Sequence, residues 1–353
     1  LIVLPTGAGK TVVFARIIKE HGRTCVAIAH RRELLGQISL ALTREHVSHQ
    51  ILAPMQTIRQ IVSSQQRKLG RSSYSTTARV TVASVDSFRR APNAWRETIS
   101  LWVMDEGHHL LQDNKWGRAI ATLPKKARGL GVTATPCRAD RKGLGAHADG
   151  YYTCILEGPT QRELTEAGYL TPYRLFAPRT LDLDLSQVQT ARNGDYRGKQ
   201  LRAAVARSRI VGDVVQQYLR HAEGRRGVTF AVGVEAAEEL AEAFRAAGVP
   251  AASVHAKTPP GEREAAIDRL ARGELLQLVN VDLFGEGFDL PTIDVVSMAR
   301  PTKSFALYAQ QFGRALRPCE GKEHAIILDH ANNIHEHGGP PDVPRTWSLD
   351  KGS

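Results

Sequence analysis

The sequence predicts an α/β protein built from two doubly wound parallel sheets in tandem. Three observations predict it. Short apolar runs alternate with helix-period stretches in both halves of the chain. Polar residues gather at the C-terminal ends of the apolar runs, where open parallel sheets bind ligands. And 353 residues suffice for two separate cores.

In the first half, "LIVL" runs into a Gly-rich turn, and "TVVFARIIKE" then has helical spacing. "TCVAIAH" reads as a buried strand and "RRELLGQISLAL" as the helix that follows. "RVTVAS", "SLWVMDE" and "ARGLGVTAT" are further strands. "CRADRKGLGAHADG" reads as a loop, residues 158–208 as a polar linker or insertion, and Arg59 to Arg79 as a basic, Ser-rich insertion that lines a duplex or stays a solvated loop. In the second half "GVTFAVG", "PAASVHA", "LQLVNVD", "IDVVSMAR" and "HAIILDH" are strands. They are separated by helices at "VEAAEELAEAFRAAG", "PPGEREAAIDRLARGE" and "SFALYAQQFGRAL". These readings give a first domain over 1–157, a second over 209–335 and a peripheral tail over 336–353.

Apolar residues at 42% and charged residues at 24% are the mix of a globular protein, and no apolar run approaches membrane-spanning length. The four cysteines lie far apart, which excludes a disulfide framework or zinc ribbon and fits the cytoplasm. Net charge is +11, and its distribution is uneven: residues 1–157 hold 23 Lys or Arg against 11 Asp or Glu, the remainder 24 against 25. A basic excess confined to one half points to a polyanionic partner such as nucleic acid. The chain opens on Leu1 rather than Met, so it reads as a piece of a longer protein or larger complex.

Two stretches carry chemistry. In "LPTGAGKT" the glycines let a polyphosphate approach backbone N–H groups at a helix N-terminus. Pro5, Thr6, Gly7, Ala8 and Gly9 form that cradle, Lys10 reaches the phosphates, and the Thr11 hydroxyl is a magnesium ligand. Leu4 stands where the full phosphate-loop pattern has Gly. In "VMDEGHHL", Asp105 is placed to hold the magnesium and Glu106 to orient and deprotonate water. A zinc hydrolase would instead place two histidines one helical turn apart. Adjacent His108 and His109 do not, so the carboxylates are assigned to magnesium and His109 to structure.

The ordered series of motifs resembles the superfamily 2 helicases of the DExH type, in the branch of restriction-enzyme motor subunits and DNA-repair helicases. "LPTGAGKT", "AHRRELLGQ", "VASVDSF", "DEGH", "VTATP", "VTFAVGVEAAEELAE", "VDLFGEGFDLP" and "QQFGRALRP" follow one another in the family's order, from residue 4 to about 330. The resemblance implies two RecA-like domains with an interdomain nucleotide cleft, ATP and Mg2+ as cofactors, and a nucleic-acid-stimulated ATPase acting as a DNA helicase or translocase. It implies that Gln310, Arg314 and Arg317, read as one side of a helix, face the nucleotide, with the arginines neutralising charge on the transferring phosphate. Gly287 and Asp289 would meet the nucleotide's sugar. Arg31, Ser84 and the backbone at Gly285 would touch sugar-phosphate, and His108, Thr133 and Thr135 would couple nucleotide state to domain movement. DNA is favoured over RNA. The alternatives are an RNA helicase and a nucleic-acid-binding fragment without catalysis. The glutamine by which the family recognises adenine would lie before Leu1.

Overall fold

The computed structural model describes residues 1–29, 31–178, 183–208, 210–283 and 290–352. They fall into two compact units: Leu1–Pro5 with Gly9–Gly158 and Thr346–Ser353, and Thr6–Ala8 with Pro159–Arg345.

The first unit runs β1 (Ile2–Val3), α1 (Lys10–His21), β2 (Cys25–Ala29), α2 (Arg32–Arg44), β3 (His49–Leu52), α3 (Met55–Leu69), β4 (Val80–Ser84), α4 (Val85–Arg89), α5 (Asn93–Arg96), β5 (Leu101–Asp105), α6 (Lys115–Ile120), β6 (Arg128–Thr133) and β7 (Leu156–Glu157). Its strands form one parallel sheet in the order β3-β4-β2-β5-β6-β1-β7. All five β2 side chains are buried, because helices cover both faces of a parallel sheet. On one face Leu34, Leu35, Ile38 and Leu42 of α2 recur at helical spacing and pack with Phe14 and Ile18 of α1. On the other, Phe88 and Trp116 join Ile28, Met104 and Leu110.

The second unit runs α7 (Gln161–Glu166), β8 (Tyr173–Phe176), α8 (Gly198–Ala206), α9 (Ile210–Ala222), β9 (Gly227–Phe230), α10 (Val234–Ala246), β10 (Ala251–Val254), α11 (Pro260–Ala271), β11 (Gln277–Asn280), β12 (Val295–Met298), α12 (Phe305–Phe312), β13 (Ala325–Asp329) and α13 (Asn333–Glu336). Its parallel sheet has the order β10-β11-β9-β12-β13-β8. Ala237, Leu240, Ala241 and Phe244 line the buried stripe of α10. The fold is therefore two parallel-sheet domains of RecA-like build.

Four segments differ from their sequence reading. The Arg59 to Arg79 stretch is not a loop, because most of it belongs to α3 and its short lead into β4; β3 was missed with it. Residues 158–208 are not a linker. β8 pairs with β13, and the buried Asp195 carboxylate accepts from Thr302 Oγ1 at 3.0 Å and Lys303 N at 2.8 Å. Composition hides this because an edge strand and a satisfied buried carboxylate look polar. The end of the tail joins the first unit: Gly145 N donates to Leu349 O at 2.9 Å, and Leu349 is buried. Finally, α12 stops at Phe312, so Arg314 and Arg317 are not on its helix. The chain tightens into three-residue bonds, Arg314 N to Gln311 O and Leu316 N to Gly313 O, and Pro318 disfavours helical backbone at Arg317.

Gly131 in β6 shows how closely the first unit is packed. A Cβ there would overlap the hydroxyl of buried Tyr152, which donates to Gly107 O at 3.0 Å. Gly131→Ala should destabilise the protein by ~1–3 kcal/mol through overpacking. A thermal melt indistinguishable from the parent would refute that packing.

Candidate active site

The chemistry-bearing residues of the first unit sit at the C-terminal ends of neighbouring strands. β6 lies between β5 and β1, and Val132 is level with both Asp105 and Ile2. The next residues up are Thr133 on β6 and Val3 on β1, and just beyond them Leu4 N donates to Thr133 O at 3.0 Å. The loop from Pro5 to Gly9 and the Asp105–Glu106 pair therefore leave the sheet at one level, one strand apart.

Gly7 (φ 89°) and Gly9 (φ 79°) take left-handed backbone that only glycine adopts freely, and they turn the chain sharply into α1. Gly9 O starts the helix by accepting from Val12 N at 2.8 Å and Val13 N at 3.1 Å. The first amides of α1 have no intrahelical acceptor and face the loop. Lys10 Nζ donates to Leu4 O and Pro5 O, each at 3.3 Å, so the ammonium is held by the loop itself. Thr11 follows in the first turn.

Asp105 and Glu106 are 4% and 7% exposed. Asp105 Oδ1 accepts from Glu106 N at 3.0 Å. Glu106 has φ 50°, a left-handed conformation costing ~1–2 kcal/mol in a non-glycine residue. The turn that this begins, Gly107–His109, brings His108 Nδ1 to 2.9 Å from Thr133 Oγ1 and 3.5 Å from Glu106 Oε2. Thr133 Oγ1 gives its one proton to Thr135 O (3.1 Å) and accepts from Thr135 N (3.2 Å). Nδ1 of His108 thus faces both Thr133 and Glu106. His109 instead stacks on Trp116, ring centroids 6.0 Å apart.

Two supporting residues were invisible in the sequence. Tyr152 holds Gly107 O from below, and burial pushes its phenol well above the usual range. Arg138 donates to His108 O at 2.9 Å while its other nitrogens grip Asp140 at 2.8 and 2.7 Å. Burial works against the Asp140 carboxylate, but the Arg138 guanidinium outweighs it and holds the pKa below the ordinary value. The only signal for that pair is the Arg-x-Asp spacing after "VTATP".

Along the same sheet edge, β4 and β2 end level at Ser84 and Ala29, and Arg31 then caps α2. The Ser84 hydroxyl is engaged as the cap of α4, accepting from Ser87 N at 3.1 Å. In the second unit Gln310 and Arg314 are buried and Arg317 is partly exposed. Lys322 Nζ fixes the turn by donating to Arg317 O and Pro291 O, each at 2.9 Å, and burial lowers its pKa to about 8. Gly285, Gly287 and Asp289 lie outside the described residues.

The family models "Type III restriction enzyme, res subunit" and "Helicase conserved C-terminal domain" match residues 1–138 and 211–319. A 51.5 kDa protein of a Lactococcus phage is 33% identical over 98% of this chain and 68% of its own length. The chain belongs to the superfamily 2 helicases. Among other relatives, IRC3 of Saccharomyces cerevisiae, provisionally named an ATP-dependent helicase, is 28% identical over 93% of the chain; the chain spans 48% of its length. Two solved structures share the fold: the type ISP restriction-modification enzyme LlaBIII bound to DNA (TM-score 0.60, 16% identity, 93% of this chain and 26% of that one) and the Pyrococcus furiosus Hef helicase domain (TM-score 0.52, 16% identity, 96% and 93%). The architecture is that of a nucleic-acid-associated helicase motor, and one matched segment spans β1 to β6, the other β9 to α12.

The His108–Thr133–Thr135 linkage gives this helicase-family site a direct test. Thr133→Val keeps the shape but leaves His108 and the Thr135 amide without their oxygen. The expected loss of stability is ~1–3 kcal/mol, with slower ATP turnover. Denaturant unfolding beside a turnover assay checks both, and parental values in the two would refute the linkage.

Proposed function

We propose that the chain is an ATP-hydrolysing, nucleic-acid-stimulated motor that moves along or unwinds DNA. One observation carries this reading: the glycine loop with Lys10 and the Asp105–Glu106 pair leave the same end of one sheet, from the two strands that flank β6. The two left-handed glycines and the ammonium already gathered at the loop suit a polyphosphate, and the hydroxyl-plus-carboxylate donors, hard oxygens, suit magnesium. In this reading Pro5 to Gly9 cradle the phosphates, Lys10 balances their charge, and Thr11 and Asp105 hold the metal. Magnesium, when bound, supplies electrostatic stabilisation of the phosphoryl oxygens. Glu106 positions the attacking water and takes its proton. His108, fixed through Nδ1, carries the state of Glu106 to Thr133 and Thr135.

Arg314 and Arg317 of the second unit neutralise developing charge, Gln310 assists them, and Gly287 and Asp289 serve the sugar. Arg31, Ser84 and Gly285 touch the nucleic-acid backbone, which positions a strand without reading bases. DNA is the preferred substrate because the motif series and the match to the restriction-enzyme subunit model run in that direction. The four cysteines lie far apart along the chain, which fits a cytoplasmic setting. The chain spans 68% of the phage relative's length and 48% of that of IRC3.

The deciding experiment is ATP turnover with and without single-stranded DNA, duplex DNA and RNA, in the parent and in Glu106→Gln. The variant should bind nucleotide like the parent and turn over ~10²–10⁴-fold more slowly. Turnover within a few-fold of the parent would sink the assignment of Glu106; turnover indifferent to any nucleic acid would sink the motor.

Arg31→Ala should weaken DNA binding equally across sequences and flatten the log–log salt dependence by roughly 0.7–0.9. A loss restricted to particular sequences, seen by anisotropy titration, would mean that Arg31 reads bases.

A further inference from the structure

Residues 46–85 hold five Lys or Arg and not one Asp or Glu. At the centre of this stretch is α3, at the β3 edge of the first sheet. Its inner face is fixed by a buried polar network. Gln65 Nε2 donates to Ser39 Oγ at 2.6 Å, His49 Nε2 lies 2.7 Å from the same oxygen, and Gln65 Oε1 accepts from Ser73 N at 3.2 Å. Burial pushes the His49 imidazole below its usual pKa, so at neutral pH it adds no charge of its own. Gln65 and His49 are fully buried, so the helix is presented as a rigid element.

The outer face of α3 is formed by Gln56, Arg59, Ser63, Gln66 and Arg67, all exposed. Elsewhere in this unit exposed cations meet acids: Arg16 and Lys19 share Glu45, Lys115 meets Asp86, and Lys142 meets Asp113. Among the described residues, no acidic side chain pairs with Arg59, Arg67 or Lys68. An acid-free helix face costs self-repulsion and gains nothing within the fold, which points outward to an anionic partner. The face is also continuous with the start of α2. Arg32 Nη1 donates to Gln60 Oε1 at 3.1 Å, beside Arg31.

We propose that the outer face of α3 is a second nucleic-acid contact, binding the backbone of a double-helical segment beyond Arg31. The proposal rests on the nucleic-acid reading above. Duplex is favoured over single strand for two reasons. The face carries no aromatic side chain on which unpaired bases stack. Arg59 and Arg67 are also two helical turns apart on a rigid rod, ~12 Å along the axis, close to the ~12 Å width of a duplex major groove with a phosphate backbone on each side.

The test compares the full chain with Arg59→Gln/Arg67→Gln by anisotropy, using a 30-base-pair duplex and a single-stranded oligonucleotide across a salt series, beside ATP turnover without nucleic acid. The variant should lose affinity for duplex on the order of ten-fold at low salt and flatten its log–log salt slope by about 1.8. Single-strand affinity, thermal stability and basal turnover should stay parental. A variant that binds duplex with parental affinity and slope overturns the proposal while leaving the motor reading intact. Equal losses on duplex and single strand overturn the duplex assignment. Competition by polyglutamate at matched charge as effective as that by DNA would make this a face for acidic protein, which also overturns it. A parent that binds no nucleic acid at all defeats the underlying reading, and the proposal with it.

Discussion

The first unit depends on β6 pairing with β5 on one side and β1 on the other. In a parallel sheet every strand ends in the same direction, so side chains distant in sequence meet at one edge only if the register brings their strands to a common level. Val132 sets that level for Asp105 and Ile2, and Leu4 and Thr133 are then joined by a main-chain bond. A register slip of one residue on β6 would turn Thr133 to the other face of the sheet and part it from His108.

That register is held by close packing as much as by the ladder. Gly129 and Gly131 on β6 have no side chain because Trp102 and Tyr152 occupy the space. Tyr152 in turn fixes Gly107 O, and Arg138 fixes His108 O. The strained Glu106 backbone is thus constrained from the residues on its C-terminal side. Backbone strain of this kind persists where its surroundings over-determine it.

The same sheet spends polarity differently at its far edge. Near β5 and β6, buried polar groups orient a carboxylate and a histidine. Near β3, Gln65, Ser39 and His49 form a network with no reactive geometry, whose effect is to seat a helix. Buried polar groups of both kinds need their partners, since an unmade bond in the interior costs more than a made one gains.

Most of the strands, the phosphate loop and the acidic pair could be read from the sequence because each is local. Apolar runs bounded by polar residues make buried strands, and Gly-x-Gly-Lys-Thr needs only its own backbone to make a cradle. The ordered motifs carried the family as well. What the sequence hid was settled between distant segments. The stretch from Arg59 to Arg79 looked like an insertion because α3 buries a glutamine, whose partners come from α2 and the segment before β4. Residues 158–208 looked like a linker because Asp195 is matched by Thr302 and Lys303, more than a hundred residues on. Arg314 and Arg317 looked helical because Gln-x-x-Gly-Arg-x-x-Arg has helical spacing, yet Leu316 O is taken by Thr171 N at 2.7 Å and the helix ends first. Periodicity reports what a segment buries when left to itself. Only the tertiary structure decides which polar groups find partners from elsewhere, and a buried polar residue is stable only where such a partner exists.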